Sequence, residues 1–208
     1  MSETGEHAIG SMIPGHYGAG ATGVVMSAAM IAAAWNVQGD PARAAIAAEV
    51  ERRFSVGLPL APNTTRRAYP LTAFWLGPRS WLLLEGASPA GPAALVDFDA
   101  ARIALDAVGA ALFEVSASRV AFMIRGPQAA AVLARSCPLD LDPRAFAPGD
   151  CAQSVLGRIS ALFYRHLDTP AYTVLVARSL AADAWYGLCR AAATDGYELT
   201  APAPFDAA

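Results

Sequence analysis

Residues 137–153 read CPLDLDPRAFAPGDCAQ and hold the densest set of reactive side chains in the sequence. Cys137 and Cys151 bracket Asp140, Asp142 and Asp150, with Arg144 among them. Such a set could clasp a metal, form a redox pair or activate a nucleophile. Zinc needs three or four converging ligands, usually with one close pair such as C-x-x-C, and the nearest cysteines here are 14 residues apart. His7, His16 and His166 are each isolated, His166 at a hairpin end where solvation is expected. Cys137 follows the last turn of a predicted helix, where the negative end of the helix dipole disfavours a thiolate. Cys151 adjoins Asp150, which acts in the same direction, and Cys189 falls at a helical core position. Pro138, Pro143, Pro148 and Gly149 give the stretch the chemistry of turns, in which aspartates accept from nearby backbone N–H groups. The expectation is a helix-to-strand connection with structural thiols.

GAGATG at Gly18, Gly20 and Gly23 fits the dinucleotide fingerprint G-x-G-x-x-G, with Asp40 at about the spacing of a ribose contact. The fingerprint works only when a buried strand runs directly into it, so that the pyrophosphate meets a helix N-terminus. GSMIPGHY is no such strand, and residues 1–23 are predicted to be a flexible arm followed by folded chain. No G-x-S-x-G elbow is present. The expected catalytic, cofactor-binding and metal-binding residues of this chain are therefore none. Arg52-Arg53 and Arg66-Arg67 read as solvated positions, and Trp75 and Trp81 as core or interface anchors.

The elements that position these residues follow from pattern. Met30 to Val37 reads as a strand, and Asp40-Pro41 as the start of a helix whose apolar stripe is Ile46, Val50 and Phe54. LTAFWLGPRSWLLLEG reads as a hairpin turning at 77–80, followed by a helix over about 93–108 and the strand ALFEVS. The order then returns: the strand RVAFMIRG, a helix opened by Gly126-Pro127, and a hairpin turning at Asp168-Thr169-Pro170. A last helix with Leu180, Trp185, Leu188 and Cys189 on one face stops at Asp195-Gly196, and Tyr197 to Thr200 makes a short strand. The fold class is α+β, two tandem ferredoxin-like β-α-β-β-α-β units over 24–117 and 118–201, with an arm at 1–23 and a tail at 202–208.

Net charge is −3, which gives no footprint for nucleic acid or an anionic membrane. All 15 basic residues are arginine, suited to carboxylate pairing at interfaces. The longest apolar run, Val24 to Trp35, is too short to cross a bilayer as a helix, and the N-terminus lacks a basic export signal. Three cysteines without that signal fit a cytoplasmic chain with reduced thiols. An apolar share of 55% suggests a buried partner surface in addition to a filled core.

RGPQAAAVLARSCPLDLDPRAFAPGDCAQSVLGRISALFYR, then AYTVLVARSLAADAWYGLCRA, resembles the gamma-subunit family of bacterial heterotetrameric sarcosine oxidases, and LPLAPNTT with WLGPRSWLLL extends the likeness into the first half. That family is similar to the folate-binding aminomethyltransferases. The resemblance implies a non-catalytic structural subunit of a complex that oxidatively demethylates sarcosine to glycine, with formaldehyde or methylenetetrahydrofolate and hydrogen peroxide. It implies alpha, beta and delta partners, alpha the most intimate. FAD, FMN, NAD, zinc and tetrahydrofolate would then be carried by other subunits. Two alternatives stand beside it: the equivalent subunit of a related complex such as N-methylglutamate dehydrogenase, and a free-standing folate-dependent one-carbon enzyme. The last would use Glu114, which stands with Ser116 where the aminomethyltransferases hold an acidic folate contact. Strand alternation between Phe113 and Val115 places Glu114 away from the core.

Overall fold

The computed structural model describes residues 13–87, 96–167 and 170–205. The first turn of the helix expected from about 93, the turn residues Asp168 and Thr169, His7, most of the arm and the end of the tail lie outside them. In chain order the elements are β1 (Gly15–Tyr17), β2 (Val24–Gln38), α1 (Ala44–Phe54), β3 (Thr65–Ala68), β4 (Leu71–Gly77), β5 (Ser80–Gly86), α2 (Phe98–Ala107) and β6 (Ala111–Glu114). Then follow β7 (Arg119–Arg125), α3 (Ala129–Ala134), β8 (Cys151–Leu156), β9 (Ile159–Arg165), β10 (Ala171–Ala177), α4 (Ala181–Ala192), β11 (Tyr197–Leu199) and β12 (Ala203–Pro204). The chain divides into two compact units, one of residues 31–116 and one of residues 1–30 with 117–208.

In the unit of residues 31–116 the strands pair antiparallel in the order β3-β4-β5-β2-β6, with Val37 opposite Trp81 on one side and Leu112 on the other. Successive side chains alternate between faces, and Trp35, Val37, Ala73, Trp81, Leu83 and Leu112 meet one core. The predicted stripe Ile46, Val50 and Phe54 of α1 packs there, with Ala101 and Leu105 of α2. Helix α1 opens at Ala44 rather than at Asp40-Pro41, because the Asp40 carboxylate turns back to accept from Ala42 N at 3.1 Å and holds a turn there. Helix α2 opens at Phe98, capped by Asp97, whose carboxylate accepts from Ala100 N at 3.0 Å. The β4-β5 hairpin turns at Pro78-Arg79 with an irregularity between Trp75 and Gly77.

In the other unit the pairing runs β8-β9-β10-β7-β2, with β11 and β12 parallel to β2 and β1 antiparallel to β11. The core joins Phe122, Ile124, Phe163, Tyr172, Val174 and Val176 of the strands to α3 and α4. Helix α4 turns Leu188 of the predicted face fully into the core and packs Trp185 and Cys189 against it. Its buried stripe is Ala181, Ala184, Leu188 and Ala192, small residues that bring the helix close to the sheet, while Leu180 is 38% exposed.

Two stretches differ from the sequence reading. The strand expected over 30–37 begins six residues earlier, at Val24, in alanine-rich sequence with little intrinsic strand preference. Pairing with β7 over Val25–Ala29 and with β11 at Val24, Val25 and Met26 supplies its hydrogen bonds from outside. Cys151 to Leu156 is likewise a full strand, paired antiparallel with β9.

Candidate functional site

The connection 137–151 is built from apolar pegs and local turns. Leu141 and Phe146 enter the core with Cys137, and Cys151 is fully buried at the start of β8. The Phe146 ring stacks on Tyr172 at 6.5 Å between centroids, and the Tyr172 hydroxyl donates to Leu141 O at 3.2 Å. Arg165 donates to Phe146 O at 2.6 Å. Between the pegs each aspartate accepts from backbone: Asp140 from Asp142 N at 3.0 Å, Asp142 from Arg144 N at 2.9 Å, and Asp150 from Ala147 N at 2.7 Å. The Arg144 guanidinium, hydrogen-bonded to Asp142, holds that carboxyl below the usual range, and the Arg144 backbone N–H adds to the effect. Cys137 Sγ lies 3.9 Å from Ser154 Oγ, and none of the three cysteines is in a disulfide. Among the described residues no three of His, Cys, Asp and Glu come together as a set that could hold a metal. The polar groups of this stretch thus fasten a loop to the sheet.

Burial pushes the Cys189 thiol up, and the neighbouring Tyr197 hydroxyl partly offsets this. Tyr197 itself is pushed up to about 12, by burial first and then by Cys189. Its ring stacks on Tyr17 of β1 at 5.5 Å.

His166 is not solvated. It is buried at 3% exposure, its Nε2 lies 2.7 Å from Thr173 Oγ1, and its ring meets Tyr164 edge-on and Phe205. The sequence places it at a strand end. The C-terminal residues that cover it are distant in sequence, so no local signal predicts their contact.

Gly18, Gly20 and Gly23 serve close packing. A Cβ at Gly18 would sit 2.5 Å from Ala193 O, and one at Gly20 would sit 2.6 Å from Asp195 O. Ala19 N donates to Ala193 O and Gly23 N to Gly196 O, each at 3.0 Å. Arg135 at the end of α3 pairs with Asp195 and donates to Ala191 O, which fixes the turn that the glycines meet. Residues 18–23 are therefore laid against the α4-β11 turn, in a stretch the sequence reading assigned to the arm.

Glu114 is exposed, but strand alternation works the other way round from the sequence argument. Leu112 is the core residue and Phe113 is 49% exposed. Glu114 is opposite Trp35, on the core-facing side, and escapes burial as the last residue of β6. Ser116 Oγ accepts from Ala34 N at 2.8 Å. Trp81 is a core anchor whose Nε1–H donates to Pro59 O at 2.7 Å, while Trp75 is half-buried at the edge of that core. Arg52 and Arg53 both clasp Glu49.

Antiparallel sheets covered on one face by helices define a mixed α/β protein, and solved structures share the arrangement. A chain of the heterotetrameric sarcosine oxidase from Corynebacterium sp. U-96, in complex with pyrrole 2-carboxylate, matches with a TM-score of 0.72 and 26% identity, over 84% of this chain and 86% of that one. The glycine cleavage system aminomethyltransferase T from Bartonella henselae matches in fold, with a TM-score of 0.55 and 13% identity, over 87% of this chain and 48% of that one. The model of the sarcosine oxidase, gamma subunit family matches residues 38–194, and this chain belongs to that family. The sarcosine oxidase subunit gamma of Corynebacterium sp. (strain U-96) is 36% identical over 130 residues, 62% of this chain and 58% of the relative. That of Arthrobacter sp. is 33% identical over 132 residues, 62% of this chain and 59% of the relative. The matched stretch thus spans less than two thirds of these relatives' length.

Proposed function

We propose that this chain is the gamma subunit of a heterotetrameric, flavin-dependent sarcosine oxidase and serves there as a structural, non-catalytic part. The family match over residues 38–194 carries the reading. The geometry supports it: the residue types best suited to chemistry, around Cys137 and Cys151, are engaged in turns and core packing. The partners are the alpha, beta and delta chains, alpha most intimately, and the complex is cytoplasmic. FAD, FMN, NAD, zinc and tetrahydrofolate belong to those chains. No helix among the described residues is long and apolar enough to cross a membrane.

Each half is a ferredoxin-like β-α-β-β-α-β unit in this reading. The order β6-β2-β5-β4 supports it in one half, and β11, β7, β10 and β9 are the counterparts in the other, where the first part of β2 lies between β11 and β7.

Co-expression with and without the other chains tests the role. The complex is expected to turn over sarcosine, and the isolated chain to bind neither flavin nor tetrahydrofolate. Glu114→Ala is expected to leave turnover of the complex within about twofold, as for an exposed strand-end residue. Tetrahydrofolate binding by the isolated chain that is lost in Glu114→Ala would overturn the structural role. Turnover of N-methylglutamate in place of sarcosine would reassign the substrate.

A further inference from the structure

After β11 the chain returns to β2 by a short C-terminal strap. Tyr197–Leu199 pairs in parallel with Val24–Met26, and Ala203-Pro204 with Ala29-Met30. Three residues, 200–202, thus stand against two, Ser27 and Ala28, and the ladder carries a bulge. Thr200 N donates to Met26 O and Phe205 N to Met30 O, each at 3.1 Å, so the backbone of Ala28 between them faces the same edge. Pro202 and Pro204 have no N–H to give that edge.

Two hydroxyls are caught at the bulge. Val24 and Met26 face the core shared with α3 and α4, so alternation turns Ser27 to the other side of the sheet. Thr200 follows Leu199, the register partner of Met26, and so stands beside Ser27. Ser27 is 1% exposed, and among the described residues Ser27 Oγ and Thr200 Oγ1 are both buried without a hydrogen-bond partner. An unpaired buried hydroxyl destabilises the state that buries it, and opening returns it to water. The closed strap is held by Phe205, itself 1% exposed, whose ring lies 5.9 Å from that of Tyr164 and 5.8 Å from that of His166. His166 in turn meets Thr173 through Nε2.

We propose that residues 200–205 form a latch that opens by itself while the sheet stays folded. Closed, Phe205 fills the slot on Tyr164 and His166, and the hydroxyls of Ser27 and Thr200 are dry. Open, both hydroxyls and the His166 imidazole are hydrated, and the β2 edge from Ala28 to Met30 is bared. Segments with few ladder bonds open locally at a lower free energy than the fold as a whole. The two prolines limit what the ladder adds to closure and the two hydroxyls oppose it, so burial of Phe205 sets the balance. The latch is a property of this chain alone and does not rest on the subunit reading.

Hydrogen exchange of the full chain tests it, with the Phe205 amide reporting the latch and the amides of β10 reporting the sheet. Exchange at Phe205 is expected to be roughly a hundredfold faster than in β10, or more. Ser27→Ala combined with Thr200→Val removes the buried hydroxyls and should slow exchange at Phe205 by about tenfold. Phe205→Ala should open the latch: His166, mapped on its own peptide, is then acylated by diethyl pyrocarbonate about tenfold faster, with β10 exchange unchanged. Exchange at Phe205 no faster than in β10 would overturn the proposal. So would a Ser27→Ala, Thr200→Val chain that exchanges there as fast as wild type or faster. A Phe205→Ala chain that keeps His166 protected, or that loosens β10 together with the tail, would overturn it as well.

Discussion

Cys137 and Cys151 behave chemically as small hydrophobes, since burial removes them from solvent and the carboxylates between them already accept backbone hydrogen bonds. Replacing both with alanine is expected to cost about 1–3 kcal/mol of stability through lost packing, read from the urea midpoint, while specific activity of the assembled complex is retained. Loss of turnover with assembly intact would give these thiols a chemical role. Tyr197 titrates in a different range. Its unfolded value is about 10 and its folded value about 12, so the folded state holds the phenolic proton more tightly. The stability it contributes is complete below pH 10 and is lost as pH rises through about 12. Denaturant midpoints measured across that interval should fall in wild type and fall less in Tyr197→Phe.

At the scale of elements, the α4-β11 turn and residues 18–23 hold each other through backbone contacts. Gly196 has φ +74°, and a Cβ there would sit 2.3 Å from Gly20 O. Gly196→Ala is expected to destabilise the chain by about 2–4 kcal/mol, combining a left-handed backbone with a carbonyl clash. Gly187→Ala, inside α4 where a Cβ would meet nothing within 4 Å, should do the opposite, raising stability by about 0.5–1 kcal/mol through helix propensity. Thermal unfolding of the two variants separates an internally required glycine from one that is not. A Gly196→Ala chain as stable as wild type would show that residues 18–23 do not pack on the turn.

For the whole molecule, an apolar share of 55% is joined to exposed large apolar side chains, among them Leu60, Tyr69, Ile103 and Tyr186. Single exposed residues of this kind are ordinary, and a contiguous covered patch is what distinguishes a subunit from a monomer. The co-expression comparison therefore has a second readout, the yield of soluble chain, which should rise when the partner chains are present. A soluble, monodisperse chain at high concentration without partners would argue against a large covered surface.

Helix periodicity, turn chemistry and the hairpin at Pro78-Arg79 are local properties, so the stripe Ile46, Val50 and Phe54 and the turn between β4 and β5 could be read directly from residue order. The same holds for the loop chemistry of 137–151, because an aspartate two or three residues from an N–H reaches it without help from the fold. The early start of β2, the burial of His166, the side of the sheet on which Glu114 lies and the reason for GAGATG were settled by tertiary structure alone. Each depends on a partner segment far away in sequence: β7 and β11 for β2, Phe205 for His166, Trp35 for Glu114, and the turn at 193–196 for the glycines. A glycine pattern records that something must come close, but only the folded chain identifies it as the protein's own backbone rather than a phosphate.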